Sequence, residues 1–409
     1  MRDEWISSMD EKKYIVIVHR PYLENREGKV RLVADIETWE EKFQLWYEVG
    51  ESFSKFFVTE RSDAFVVALL PWLMMKAKKL NREIHLTCKM PMSGRLYHQI
   101  TNYYIPVLCN NIPYYNYIYI DAEINEEKLP SAGAVGAGIS GGVDSSYTVS
   151  KYRNEPQLTF RLTHLVYYNV GIYGGFESTA EKEMQIKMRQ IAKEAELEYL
   201  QLDSNICIDL YSAAHAPIVP AVFMSTTLAL QKLFTVYYFS STHLASDFHF
   251  SKSDASYYDV FNINCLSTEN TIFCSAGIDK SRMEKIDFIA DNPFVQNSLF
   301  VCVNVNDKAQ NCSLCAKCTR TMAGLEVLGK LDKFHRVFDV AHFRQNPGYH
   351  WGFMLIKGKH TLYKEVVDLY LKKHKRFPIS VYLALIKKWM ARGFSTVNKS
   401  SRKVENEIR

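Results

Sequence analysis

The sequence predicts an α/β protein built on a doubly wound, mainly parallel five-stranded sheet, with an N-terminal α/β region and a helical C-terminal extension. Three observations predict it. Five short β-branched or small apolar runs, residues 133–139, 164–169, 198–202, 236–240 and 271–275, alternate with helix-like stretches, and βαβ alternation folds as a parallel sheet with right-handed crossovers. The first run is followed at once by Ser140-Gly141-Gly142-Val143-Asp144-Ser145-Ser146 and then by a helix-like run over 147–153. That order places the turn at the carboxyl end of a strand, where such sheets bind ligands. The 409-residue chain is 47% apolar, with 25 Tyr and 23 Phe, enough for large cores in two or three domains.

The elements follow in order. Residues 14–19 (YIVIVH) read as a strand by β-branched content. Apolar spacing predicts a helix over 59–80, of which 65–75 is the longest apolar stretch in the chain. Residues 83–88 read as a strand, 97–108 mix signals and 114–120 are aromatic and strand-like. The charged segment 123–130 ends in Pro130 and reads as a linker, so a first domain of unreadable role is expected over 1–130. The core is expected over 131–335. Its clearest helix covers 181–196, with Met184, Met188, Ile191 and Ala195 on one face. A helical extension is expected over 336–409, amphipathic at 362–374 and 381–392, with a basic cluster from Lys372 to Arg376 and a mobile polar tail over 394–409.

Charge and hydropathy bound the partners. A formal charge of +5 admits anionic ligands without arguing for nucleic acid. No apolar run reaches the ~18–20 residues of a transmembrane helix, and residues 1–13 lack the apolar core of a signal peptide. A cytoplasmic protein with no membrane partner is the expectation.

The glycine-rich turn carries the chemistry. Free N–H groups and the positive end of the following helix converge there, as in a phosphate cradle. Gly141 and Gly142 allow close backbone approach, and Ser140, Ser145 and Ser146 add hydroxyl donors. Asp144 would repel a phosphate unless a divalent cation bridges the two. Residues 277–292, after the fifth strand, bring Lys280, Arg282 and Lys285 to the same carboxyl edge, where positive charge would serve a reacting phosphate. A solvated basic helix face is the competing reading. At the end of the second strand, Tyr168 and Asn169 precede Gly171, Tyr173, Gly174 and Gly175, a loop able to close over a site. His215 reads as a base or a packed side chain, and Asp247 and Asp254 as substrate contacts or turn residues.

Nine cysteines include one spaced set. Cys302, Cys312, Cys315 and Cys318 form C-x9-C-x2-C-x2-C, and four thiolates so spaced can close a tetrahedral shell around zinc or hold an iron–sulfur cluster. Lys317 and Arg320 would offset their charge. Cys88, Cys109, Cys207, Cys265 and Cys274 read as core.

The string SGGVDS resembles the pyrophosphate loop of the N-type ATP pyrophosphatase (PP-loop) superfamily; no Gly-Lys-Ser/Thr follows, so it is not a Walker A loop. The resemblance implies an adenine nucleotide alpha-hydrolase-like (HUP) fold. It also implies that Ser140, Gly141, Gly142, Val143, Asp144, Ser145 and Ser146 hold ATP while a substrate oxygen attacks its α phosphorus. The step Lys285-Ile286-Asp287-Phe288-Ile289 resembles the family's Lys-x-Glu-Ile segment, which implies a phosphate contact for Lys285, with Lys280 and Arg282 as further candidates; Tyr168 and Asn169 would lie beside adenine and ribose. The four cysteines resemble the zinc knot of the 7-cyano-7-deazaguanine synthase-like branch and favour Zn²⁺. Implied cofactors are ATP, Mg²⁺ and Zn²⁺, with Lys285 and Asp144 as catalytic residues. The implied reaction is adenylation of a small carboxylate, then attack by a nitrogen nucleophile to give an amide or nitrile. Relatives in anti-phage operons imply a deazapurine carboxylate joined to ammonia or to a protein acceptor encoded nearby, and a homodimer is open. The resemblance covers residues 131–335; the flanking regions are additional, and the branch's proline–aspartate–cysteine–arginine segment has no clear counterpart. A tRNA thiolation enzyme using Cys265 or Cys274, and a nucleotide-binding scaffold without catalysis, are the alternative readings.

Overall fold

The computed structural model describes residues 14–171, 176–211, 217–304, 308–358, 360–374 and 376–390. The expectations for Tyr173, Gly174, Gly175, His215, Lys375 and the 394–409 tail fall outside them. The chain divides into two compact units. Residues 1–140 and 148–279 form the first; residues 141–147 and 280–409 form the second.

Among the described residues the first unit is organised by thirteen strands: β1 (Tyr14–Val18), β2 (Tyr22–Arg26), β3 (Lys29–Glu37), β4 (Lys42–Gly50), β5 (Ile84–Cys88), β6 (Met92–Ser93), β7 (Tyr119–Asp121), β8 (Ile124–Asn125), β9 (Ala134–Gly138), β10 (His164–Asn169), β11 (Glu198–Ser204), β12 (Phe234–Ser240) and β13 (Ile272–Ala276). Eleven form one sheet in the order β13-β12-β9-β10-β11-β4-β3-β1-β5-β7, with β2 on β3; β6 and β8 pair separately. All five strands expected between 131 and 335 are present, as β9 to β13, and they pair in parallel with one another. In their own chain order they lie 5-4-1-2-3, the doubly wound arrangement, with the order reversing between β9 and β12. The glycine-rich turn leaves β9 at that reversal.

The sheet is larger than five strands. β4 joins the edge of β11 antiparallel, placing Glu48 opposite Asp203 and Tyr47 opposite Ser204. The sheet thus runs on past the linker expected at 123–130. Two facing carboxylates would repel. Lys29 bridges them, its Nζ 2.9 Å from Glu48 and 2.6 Å from Asp203, and Arg31 Nε donates to Glu48 at 2.6 Å. The β3–β4 pairing sets Arg31 directly across from Glu48. The hairpin itself follows from alternation: Val30, Leu32, Ala34 and Ile36 are buried, and of the residues between them only Val33 is buried as well.

Burial opposes the Glu48 charge, but Lys29 and Arg31 outweigh it and hold this carboxyl below its ordinary range. Its stabilising contribution is therefore complete above the unfolded carboxyl pKa, near 4.3, and is lost as pH falls through the folded value. Lys29→Met should cost about 1–2 kcal/mol at neutral pH, moderated by the partial exposure of Lys29, and should flatten the acid limb of a Tm–pH profile. An unchanged acid limb would remove the bridge from the account.

Helices pack as the periodicity predicts. Asp63–Leu80 is buried along most of its length and ends at Asn81 in the left-handed conformation (φ 51°). Thr179–Glu194 starts at Ser178, whose hydroxyl accepts from the Glu181 amide, and buries Met184, Met188 and Ile191. At Gly136 in β9 an added Cβ would lie 2.6 Å from the Phe234 ring and 2.7 Å from Tyr237, so β9 needs glycine for β12 to lie this close. Of the aromatic run 114–120 only its end forms a strand, β7. In the second unit, Thr361–His374 and residues 379–390 are helical. No described helix is long and apolar enough to cross a membrane.

Candidate anion site and four-cysteine centre

The glycine-rich turn is shaped by its own backbone. Gly141 takes φ +71°, open to glycine at little cost, and its carbonyl accepts the Phe300 amide at 2.8 Å. Helix Val143–Tyr152 begins two residues later, with Asp144 in its first turn. Ser145 and Ser146 are buried, and their hydroxyls turn back to the carbonyls of Gly142 and Gly141 at 3.2 and 3.5 Å. Ser140 is exposed.

Within the second unit, Asp144 is met by two cations. Arg282 Nη2 lies 3.1 Å from Oδ2, and Lys285 Nζ lies 3.5 Å from Oδ1. Lys285 is 0% exposed and Arg282 8%; ammonium and guanidinium groups are rarely so buried without a counter-charge. Both stand on helix Arg282–Ala290, which starts with a capping box between Ser281 and Glu284. Glu365, from helix Thr361–His374, adds a second carboxylate at that N-terminus, accepting from the Ser281 hydroxyl and, at 3.3 Å, from the Met283 amide. The C-terminal extension thus helps to seat Arg282.

Helix Ala316–Val327 supplies two further cations, Lys317 and Arg320, one turn apart. Gly324 sets its approach: a Cβ there would lie 3.0 Å from Ile286 and 3.1 Å from Met283. Arg320 is 7% exposed, and its guanidinium lies 5.3 Å over the Tyr363 ring. Burial, and then Arg282, pull its pKa down to about 10. Lys317 is also pulled down, by desolvation first and then by Arg320 and Arg282, with Asp144 opposing, although the residue as a whole is exposed. Among the described residues, Arg282 Nε and Arg320 Nε are buried donors without a hydrogen-bond partner. Buried donors without acceptors are costly, and these two gather where the cations outnumber the carboxylates Asp144 and Glu365. The arrangement suits a polyanion.

The structure divides the expected residues. Asp144, Arg282 and Lys285 come together. Lys280 is half-exposed, 3.8 Å from Glu284 one turn along, which suits a solvated face. Tyr168 turns into the core of the first unit, its ring 5.0 Å from Phe223 and its hydroxyl 2.7 Å from Thr227 Oγ1. Asn169 is buried beside β3 and β4 within the first unit. Asp254 caps a short turn by accepting the Ser256 amide, and Asp247 ends another. Arg320 and Lys317 belong with the cations, a role beyond balancing thiolates; their i, i+3 spacing is the signal that marks one face.

The four spaced cysteines converge. Cys302, Cys312, Cys315 and Cys318 place all their Sγ atoms within 4.8 Å of one another, and those of Cys302 and Cys315 are 3.9 Å apart. A tetrahedral shell with Zn–S near 2.3 Å has sulfur atoms about 3.8 Å apart, so the group can hold a metal ion such as zinc. Backbone amides point at two of these sulfurs: the Cys312 amide reaches Cys302 Sγ at 3.5 Å and the Cys315 amide reaches Cys312 Sγ at 3.2 Å. Burial opposes the Cys315 thiolate, but the amides of Cys318 and Val303 outweigh it and bring the thiol to about 7. Ser313, left-handed at φ 58°, makes the turn, and its hydroxyl accepts the Asp339 amide at 2.9 Å. Burial pushes other thiols up: Cys302 and Cys318 within the centre, Cys265 to about 12, and Cys274.

No family model, curated protein or solved structure matches the chain.

Proposed function

We propose that the protein is an AMP- and pyrophosphate-forming ligase of the PP-loop type, with a HUP-like core, that adenylates a carboxylate. One observation supports this most: Arg282, Lys285 and Arg320, three nearly buried cations with two orphaned Nε donors, gather around the carboxylate of the glycine-rich turn. In this reading the turn's amides from Gly141 onward and the N-terminus of helix Val143–Tyr152 hold the β and γ phosphates of ATP. Lys285 and Arg282 stabilise charge on the α phosphorus and the departing pyrophosphate. Asp144 orients both cations before ATP arrives. A Mg²⁺ ion accompanying ATP would supply charge neutralisation beside Asp144. A substrate carboxylate, in the closest reading a deazapurine carboxylate, attacks the α phosphorus; pyrophosphate leaves, and an amine or ammonia then displaces AMP. A protein acceptor and an anti-phage setting extend this reading. We assign zinc to the four cysteines in a structural role. The upward shifts at Cys265 and Cys274 disfavour thiolation, which needs an accessible thiolate.

Pyrophosphate release tests the reading. Arg320→Gln should raise the KM for ATP about tenfold, with the Tm little changed. Equal KM values in variant and parent would remove Arg320 from the site.

A further inference from the structure

A cavity of about 300 Å³ lies in the first unit, at the carboxyl ends of β10 and β11 and against β3 and β4. Its volume sits at the small end of the range for small-molecule sites, about 300–1,000 Å³. The polar floor is built, not incidental. Arg31, Glu48 and Asp203 lie in register across β3, β4 and β11, and Lys29 ties the carboxylates together. Gln201 is fixed to Asp203 at 2.8 Å. Trp46 is pinned through its backbone to Ser204 and Asn205 at 2.7 and 2.9 Å, with the Arg31 guanidinium 3.9 Å from its ring centre. Phe176 stands 5.4 Å from Trp46.

Within this frame one atom is unmatched. Asn169, the last residue of β10, is 2% exposed and lines the cavity, and its Oδ1 has no hydrogen-bond partner among the described residues. A buried amide oxygen left without a donor costs about 1–3 kcal/mol. The charges around it are already paired. A phosphate or carboxylate ligand would face Glu48 and Asp203, and an organic cation would face Lys29 and Arg31. A neutral ligand is what remains, and the Trp46–Phe176 wall suits a flat one.

We infer that this cavity binds a neutral nitrogen heterocycle whose N–H donates to Asn169 Oδ1. If the amide is turned over, its N–H faces the cavity instead; a heterocycle with adjacent donor and acceptor nitrogens satisfies either orientation. Four of the eleven lining residues, Lys29, Arg31, Trp46 and Glu48, lie outside the region that resembles PP-loop enzymes, and the inference does not rest on the nucleotide reading.

The test is calorimetric titration of the full chain with adenine, hypoxanthine and cytosine as free bases, and with sorbitol as a neutral, non-planar control. At least one base should bind with a Kd of about 1 mM or tighter, and sorbitol should not. Asn169→Leu should weaken that binding roughly tenfold or more. Phe176→Ala, at a half-buried position where folding is not at stake, should weaken it as well. Saturation with a non-hydrolysable ATP analogue should leave it in place. The inference is overturned if no base binds the folded parent, if both variants bind as the parent does, or if the ATP analogue displaces the base.

Discussion

Lys285→Met is expected to lower the rate of pyrophosphate release about 10²–10³-fold while leaving the protein folded. The magnitude is that of removing one preorganised donor from a site of developing negative charge. Methionine is the informative replacement, because it keeps the unbranched stem and removes only the buried charge. Asp144 keeps a partner in Arg282 at 3.1 Å, so no carboxylate is stranded. Removing a buried ion together with its desolvation penalty is often neutral or stabilising, and the Tm should hold or rise. The opposite pattern, a lower Tm with normal turnover, would make Lys285 a structural counter-ion and nothing more. Steady-state kinetics and a melting curve on the same preparation distinguish the two.

Loss of the metal from the four-cysteine centre is expected to have the largest effect on stability. Structural zinc contributes ~10–16 kcal/mol to zinc-finger peptides; within a larger unit that has its own core, of order 5 kcal/mol is expected. Cys318→Ser, or treatment with a strong chelator, should lower the Tm steeply, and metal analysis of the parent should return about one zinc per chain. Iron in place of zinc would refute the assignment. ATP affinity should fall in parallel. Cys315 precedes helix Ala316–Val327 as its N-cap residue, and Lys317 and Arg320 ride on the first turns of that helix. A chelated protein that still melted and bound ATP as before would separate the cysteines from both roles.

The legible parts of this chain are those where local pattern and tertiary environment agree. β9, β10 and β12 were readable because parallel strands covered by neighbours are largely apolar runs, and helix Thr179–Glu194 because Met184, Met188 and Ile191 keep a 3.6-residue period. The four cysteines were readable because ligand spacing is local in sequence. The hairpin of β3 and β4 escaped, although its alternation is regular. Arg31, Asp35, Gln44 and Glu48 interrupt the apolar residues; Lys29 and Arg31 hold the buried Glu48, and Lys29 also reaches Asp203, 174 residues away. The joining of β4 to β11 has no local signal at all, so the sheet was expected to be half its width.

The candidate site shows the same division. Asp144 and Lys285 came from a motif and its resemblance. Arg320 needed the fold, since only close packing at Gly324 explains how a residue beside the cysteines joins the cations of helix Arg282–Ala290. Lys280 shows the converse: three basic residues within six positions look equivalent in sequence, but the capping box at Ser281 leaves Lys280 ahead of the helix beside Glu284.

In the proposed reaction a carboxylate oxygen attacks the α phosphorus of ATP. The most direct measurement supplies a deazapurine carboxylate labelled with oxygen-18 in its carboxyl group, together with MgATP and ammonia, and reads the products by phosphorus NMR and mass spectrometry. The account predicts AMP carrying one oxygen-18, unlabelled pyrophosphate, and an amide or nitrile product. Formation of ADP and inorganic phosphate, or of AMP without the label, would contradict it.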